Sequence, residues 1–193
     1  MIKQIKRLFI LGLLSSLAGC VQYSLVPAGS AVSAKGITVT PPMDWNKSPA
    51  NLGKKVEIWT RDGVSLDQLI FIGGISDGET LFKSWNKALP MPAFNAGMLP
   101  NDVEDLVKTS LKNLAGGEIQ IDTSNLKPTE FGGTFGFEFE LDYFEKSGLK
   151  KRGNAFAVIK DEQLYVILFT AADLHYFGEH LPEVRKLFES AVI

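Results

Sequence analysis

The sequence predicts an α+β domain, an antiparallel β-sheet with helices packed on it. Three observations lead there. Apolar and polar side chains alternate in short segments, most clearly from Gly133 to Tyr143, with the period of 2 that a strand requires. Two other stretches, Asp102 to Leu114 and Pro182 to Ala191, repeat their apolar residues at helical spacing. The order is strands, helix, antiparallel strands, helix, and short turns such as Asp161-Glu162 join neighbouring strands.

Gly36 to Thr40 (GITVT) reads as a short strand that Pro41, Pro42 and Trp45 end. Val56 to Thr60 (VEIWT) alternates, Leu66 to Gly73 carries an apolar run, and Arg61-Asp62-Gly63 between them makes a hairpin. Gly73, Gly74, Asp77 and Gly78 read as a turn-rich loop, and residues 83–100, with Pro90, Pro92 and Pro100, as irregular chain. In the first helix Val103, Leu106, Val107, Ser110, Leu111 and Leu114 share one face. Asn101 suits its N-cap, Glu104 completes a capping box, and Gly116-Gly117 closes it. Strands follow at Glu118 to Asp122, Gly133 to Tyr143, Arg152 to Lys160 and Leu164 to Thr170. In the final helix Pro182 suits the first turn, and Leu181, Val184, Phe188 and Ala191 face the core.

The first twenty residues carry an address. Lys3, Lys6 and Arg7 precede an apolar run from Leu8 to Leu17, and Ala18, Gly19 and Cys20 follow. That is the order of an export signal, and the run is too short to span a bilayer, which takes about 20 apolar residues. Leu17-Ala18-Gly19-Cys20 resembles the lipobox of bacterial lipoproteins. The resemblance implies that the Cys20 thiol takes a diacylglyceryl thioether, that a peptidase cuts before it, and that the new amino group is acylated. Two or three acyl chains anchor firmly. In enterobacterial lipoproteins an Asp after the cysteine favours the inner membrane. Val21 stands there, which implies the periplasmic face of the outer membrane.

The expected organisation is a signal over residues 1–19, a lipidated cysteine and flexible tether over 20–35, and one domain over 36–193. Residues 21–35 are small and polar, with Pro27 and Gly29. Fifteen residues reach at most about 50 Å and average about 20 Å as a coil. On that reading the domain stays near the membrane without needing to touch it. Loss of Lys3, Lys6 and Arg7 with the signal leaves 17 basic against 22 acidic residues, a net charge of −5. That balance argues against a nucleic-acid partner, which needs a basic face. With Cys20 lipidated no cysteine remains, so packing without disulfides holds the domain.

Residues 36–193 carry a second resemblance. A first strand running into Pro41-Pro42 and Trp45, a central helix, a long strand hairpin, the aromatic-rich strand Leu164 to Phe169 and a closing helix with Phe188 are similar to the PsbP-like α/β/α sandwich. That resemblance implies an accessory, non-catalytic role in a membrane-associated complex, and it carries no catalytic residues over.

Several constellations could bear chemistry. Glu138, Glu140 and Asp142 alternate with Phe137, Phe139, Leu141 and Tyr143, so the carboxylates line one strand face. They form either an acidic strip for a cation or acid–base work, or a solvent face balanced by the next strand. One register sets Asp142 against Lys150, Glu140 against Arg152 and Glu138 against Asn154; a one-residue slip sets them against Lys151, Gly153 and Ala155. His175 and His180, the only histidines, sit with Asp173 and Glu179 in DLHYFGEH. The spacing does not match HExxH, and the bland reading is a connection into the last helix. No G-x-S-x-G is present, and FIGGISDGE fits neither G-x-G-x-x-G nor a P-loop. Trp45, Trp59 and Trp85 belong to the core or line a ligand cavity.

The leading functional reading is a lipid-anchored envelope protein that binds a partner or supports an assembly, without a cofactor. The alternatives are a hydrolase using residues of Asp173 to His180, and a carrier of small hydrophobic molecules. An apolar cavity of several hundred Å³ favours the carrier, and an exposed apolar patch favours the partner role.

Overall fold

The computed structural model describes residues 22–131 and 133–193. The export signal, the lipobox with Cys20, and Val21 lie outside the described residues. Ten strands and two helices follow in order: β1 (Ser24–Val26), β2 (Val32–Ala34), β3 (Ile37–Val39), β4 (Trp45–Lys47), β5 (Val56–Thr60), β6 (Asp67–Ile75), α1 (Pro100–Leu114), β7 (Ile121–Phe131), β8 (Thr134–Phe144), β9 (Lys150–Lys160), β10 (Gln163–Ala172) and α2 (Tyr176–Glu189).

Eight strands form one antiparallel sheet in the order β1-β4-β5-β6-β10-β9-β8-β7, and β2 and β3 pair as a separate ribbon. The predicted α+β class is the observed one. Strand alternation splits the core into two layers. Ile58, Ile70, Ile72, Phe139, Leu141 and Leu168 pack under α1 through Val103, Leu106 and Val107. Trp59, Leu69, Phe71, Ile167 and Phe169 pack under α2 through Phe177, Val184, Leu187 and Phe188, together with Ile37 and Val39 of the ribbon. The sheet is thus covered on both faces, which is why β6 and β10 read as nearly continuous apolar runs. Trp45 and Trp59 are fully buried on the α2 side, whereas Trp85 is exposed with the Lys83 ammonium 4.5 Å above its ring.

The tight turn at Asp161-Glu162 forms as expected. Both residues take positive φ, 50° and 59°, which the two-residue hairpin turn matched to sheet twist demands. Residues 83–100 hold no strand or helix before α1 begins at Pro100.

Other expectations are corrected. The tether is largely absent: β1 and β2 lie inside residues 20–35, and Ser24, Leu25 and Val26 already pair with Lys47, Asn46 and Trp45. Val26 and Ala34 are buried, so two small apolar residues among polar ones were enough to dock this segment. Gly73-Gly74 is strand, not loop, because β6 runs on to Ile75. A Cβ on Gly73 would sit 1.8 Å from the Lys35 carbonyl oxygen, so glycine here admits the β2–β3 ribbon. α1 begins two residues early: Leu99 is its N-cap, Pro100 its first residue, and the Asp102 carboxylate accepts the Leu99 N–H at 2.9 Å. Only the half of a capping box that Asp102 supplies is formed, because the Leu99 side chain has no acceptor, and it does not use Asn101 and Glu104.

β7 runs eleven residues where five were expected. Asn125 at φ 56° and Pro128 disguised it; proline is tolerated because β7 is an edge strand. α2 begins at Tyr176, so Pro182 lies inside the helix rather than in its first turn and withholds an N–H from the Gly178 carbonyl. The β8–β9 register differs by two residues from the expected one. Asp142 faces Arg152, Glu140 faces Asn154, Glu138 faces Phe156, and Lys150 faces Phe144. An even shift keeps every side chain on its predicted face.

Candidate functional site

The β8 carboxylates project toward α2, and that helix supplies part of their compensation. Glu138 is buried at 4 % exposure, with Lys127 Nζ at 2.7 Å and Arg185 Nη1 of α2 at 3.7 Å. Arg152 sits 4.0 Å from Glu140, 3.9 Å from Asp142 and 3.8 Å from Asp173, and it lies over the Phe177 ring. Lys150 bonds Asp173 at 2.9 Å and approaches Asp142 at 3.7 Å. The hydrogen bond from Lys150 to Asp173 holds that ammonium pKa above its ordinary value. The strip is therefore a charge ladder joining β7, β8, β9 and α2, and each carboxylate has a cation within 4.0 Å. The next strand balances Glu140 and Asp142, as the solvent-face alternative expects, while Glu138 departs from it by being buried and paired from β7 and α2.

The histidines separate. His175 is exposed and pairs with Glu179 one turn along α2. His180 is 2 % exposed and meets Asp62 Oδ2 at 2.7 Å. Of the DLHYFGEH acids and histidines Asp173 belongs to the charge ladder, and His180 joins neighbours from the β5–β6 turn: ligand atoms of Asp62, Asp67 and His180 lie within 4.8 Å of one another. The chemistry of Asp67 argues against a metal there. Its carboxylate already accepts Thr60 Oγ1–H at 2.9 Å and the N–H groups of Arg61 and Asp62, both at 2.8 Å. Asp67 closes the turn, and His180 fastens α2 to it. Among the described residues no serine or threonine hydroxyl bonds either histidine, and neither histidine meets Glu138 or Glu140.

A concave site lies on the opposite face, where the C-terminal end of α1 overhangs the sheet. Its volume is about 380 Å³. Leu111, Leu114 and Ala115 form one wall and Ile119 and Ile121 the other; Gln68, Tyr143 and Glu145 supply polar groups. Burial pushes the Tyr143 hydroxyl up to about 12, against the pull of its bond to Thr170. Beneath the site Lys151 is 1 % exposed, with Glu145 Oε1 at 2.9 Å. Lys146 and Glu118 pair at 2.7 Å beside the mouth, and that bond holds Glu118 below the usual carboxylate range.

Sequence reasoning missed this cavity. Strand parity puts Tyr143 with Phe139 and Leu141, but the wall at Ile119 and Ile121 depends on how α1 returns to β7, which no spacing encodes. A second cleft of about 610 Å³ is lined by Lys54, Lys55, Glu79 and Lys83. There Lys55 and the Ser76 N–H hold Glu79 below its ordinary value.

The layers and strand order can be set against solved structures. The solution structure of cyanobacterial PsbP (CyanoP) from Synechocystis sp. PCC 6803 superposes with a TM-score of 0.57, covering 92 % of this chain and 96 % of that one at 12 % identity. The fold is PsbP-like. A crystal structure from Bacteroides thetaiotaomicron VPI-5482 superposes on the PsbP-like domain at 0.50, covering 86 % of this chain and 48 % of that one at 8 % identity. LpqN of Mycobacterium tuberculosis, involved in cell envelope biogenesis, overlays more loosely at 0.38, with 12 % identity over 89 % of this chain and 90 % of that one. The sequence itself matches no protein-family model and no curated protein. At these identities the likeness is one of backbone arrangement, and the PsbP-like expectation for residues 36–193 holds at that level.

Proposed function

We propose that this chain is a lipid-anchored protein of the bacterial cell envelope whose PsbP-like domain binds a partner or supports an assembly. The anchor is the acylated Cys20, and the leaflet is the periplasmic face of the outer membrane. The lipobox and Val21 support both. The observation that carries the partner role is the β7 edge. β7 pairs only with β8 on the sheet, and the β7–β8 hairpin exposes Phe135 at 87 % and Leu126 at 36 %. An eleven-residue edge beside exposed apolar groups suits docking of a second chain, by strand addition or against the aromatic ring.

A photocrosslinking residue in place of Phe135 or Leu126, tested in intact cells, should trap one discrete partner. The same residue at Glu189 on α2 should not. Equal, diffuse adducts from all three positions would remove the partner reading. The anchor is tested separately: Cys20→Ser should abolish acyl labelling and membrane retention, and unchanged labelling would refute it.

A second reading, a carrier of small apolar molecules, is favoured by the cavity under α1. Its volume falls within the roughly 300–1,000 Å³ of small-molecule sites. A naphthylamine probe should fluoresce on binding, and Leu114→Trp, which fills the space, should suppress the signal several-fold. A signal insensitive to that substitution would place the probe elsewhere and remove the carrier reading.

A further inference from the structure

Cys20 and Ser24 are four residues apart, and Ser24 is already hydrogen-bonded strand paired with Lys47. Four residues reach no more than about 14 Å in any conformation. If the chain is lipidated at Cys20, the body of the domain cannot float free of the bilayer, because the leash is shorter than the headgroup layer and the domain radius together. This reverses the expectation of a long tether. It also selects which surface meets lipid, because β1 is the edge strand of the sheet and the chain enters there.

That edge has a fitting composition. Tyr23 is 42 % and Leu25 65 % exposed, while Val26 turns inward with Trp45. Leu25 is the central residue of β1, and Tyr23 lies just before the strand. Tyr23 lines a shallow depression with Asn46, Thr60, Arg61 and Gly63. One cation, Arg61, shares that depression, whereas Lys47 pairs with Ser24 and Trp59 and leaves the other face of the sheet toward Glu57. Nearby Asp62 is engaged by His180, and Asp44 accepts the Ala28 N–H. A tyrosine, a leucine and an arginine beside an acyl anchor match the membrane–water interface, where amphipathic rings sit at headgroup level and cations meet phosphates.

We infer that the β1 edge lies on the bilayer surface, with Tyr23 and Leu25 in the interface and Arg61 against lipid phosphates. This rests on the lipid-anchor reading. Its consequence is orientation. β7 is the opposite edge, seven inter-strand steps away, or about 34 Å along the sheet at about 4.8 Å per step. The exposed β7–β8 hairpin therefore points away from the membrane that the anchor occupies.

The test uses the full chain, acylated in cells and reconstituted into phosphatidylethanolamine/phosphatidylglycerol vesicles. Acylation consumes Cys20, so Leu25→Cys or Leu126→Cys gives one thiol for an environment-sensitive nitrobenzoxadiazole label. The label at 25 should shift to the blue and be quenched several-fold more than the label at 126 by lipids carrying shallow nitroxides. Acylated protein with equal, water-like emission at both positions overturns the inference and leaves the anchor standing. Absence of acyl labelling, judged against Cys20→Ser, overturns the anchor and the inference together. A flexible insertion of about 20 residues between Gln22 and Tyr23 should reduce quenching at 25 without loss of membrane retention; persistence of full quenching would show that the leash does not impose the contact.

Discussion

His180 Nε2 donates to Asp62 Oδ2 across 2.7 Å, joining residues 118 positions apart. The bond fastens α2 to the β5–β6 turn, which Asp67 holds closed from within. His180→Ala removes the bond and leaves a cavity under the helix, so it should cost about 2 kcal/mol. Asp62→Asn keeps an acceptor on an exposed residue and should cost under about 1 kcal/mol. Urea denaturation of the two variants measures the difference. Equal, small losses would mean that the contact does not hold α2.

Lys151 is the most deeply buried cation described, at 1 % exposure, and Glu145 is its ion-pair partner at 2.9 Å. Glu145→Ala strands that charge and should destabilise the protein by about 3 kcal/mol. Adding Lys151→Met removes the stranded charge while keeping the volume, and should restore most of the loss. Thermal unfolding of the single and double variants reads the coupling directly. A double variant no more stable than Glu145→Ala would show that Lys151 is neutralised by other means.

How much of this architecture is legible in sequence depends on how local the cause is. α1, β8, β9 and β10 carry their own periodicity, so their class and facing follow from Val103, Leu106 and Val107 or from Phe137 and Phe139. Even the shifted β8–β9 register preserved the faces, because the shift was even. β1 and β2 were illegible for the opposite reason. Three residues each are too few to show a period, and only docking against Trp45 and the sheet makes them strands. Gly73-Gly74 carries the usual sign of a turn, yet the glycines serve the close approach of Lys35. The site residues divide similarly. Asp173 and His175 are neighbours in sequence and separate in role, while His180 finds Asp62, Asp67 closes the same turn, and no spacing links the pair.

Gly73→Ala tests that reading of the ribbon. A methyl group cannot occupy a point 1.8 Å from the Lys35 carbonyl oxygen, so β2–β3 must lift from β6 or β6 must bend. Overpacking of this kind costs about 1–3 kcal/mol. Gly78→Ala meets no atom within 4 Å but sits at φ 78°, so its cost should come from backbone strain alone and be nearer 1 kcal/mol. Hydrogen exchange should show lost protection at Ile37 and Val39 in the first variant and not in the second. Unchanged exchange in Gly73→Ala would show that the ribbon docks without this contact.

Tyr143 sets the alkaline behaviour of the cavity under α1. Burial is the main cause that raises its pKa to about 12, with Glu145 adding to it and the Thr170 bond opposing. An unfolded tyrosine ionises near 10. A hydroxyl whose folded pKa lies above the unfolded one stabilises the fold fully below the unfolded value. That contribution is lost as pH rises toward the folded value, because the unfolded chain ionises first. Stability should therefore fall between pH 10 and 12 through this group by about 2–3 kcal/mol. Tyr143→Phe should be nearly as stable as the parent at pH 8, losing about 1 kcal/mol with the Thr170 bond, and should show a shallower decline across the alkaline window. Ultraviolet titration should find one tyrosinate appearing last, absent in Tyr143→Phe. Parallel pH profiles for parent and variant would mean that this hydroxyl is not sealed from water by α1.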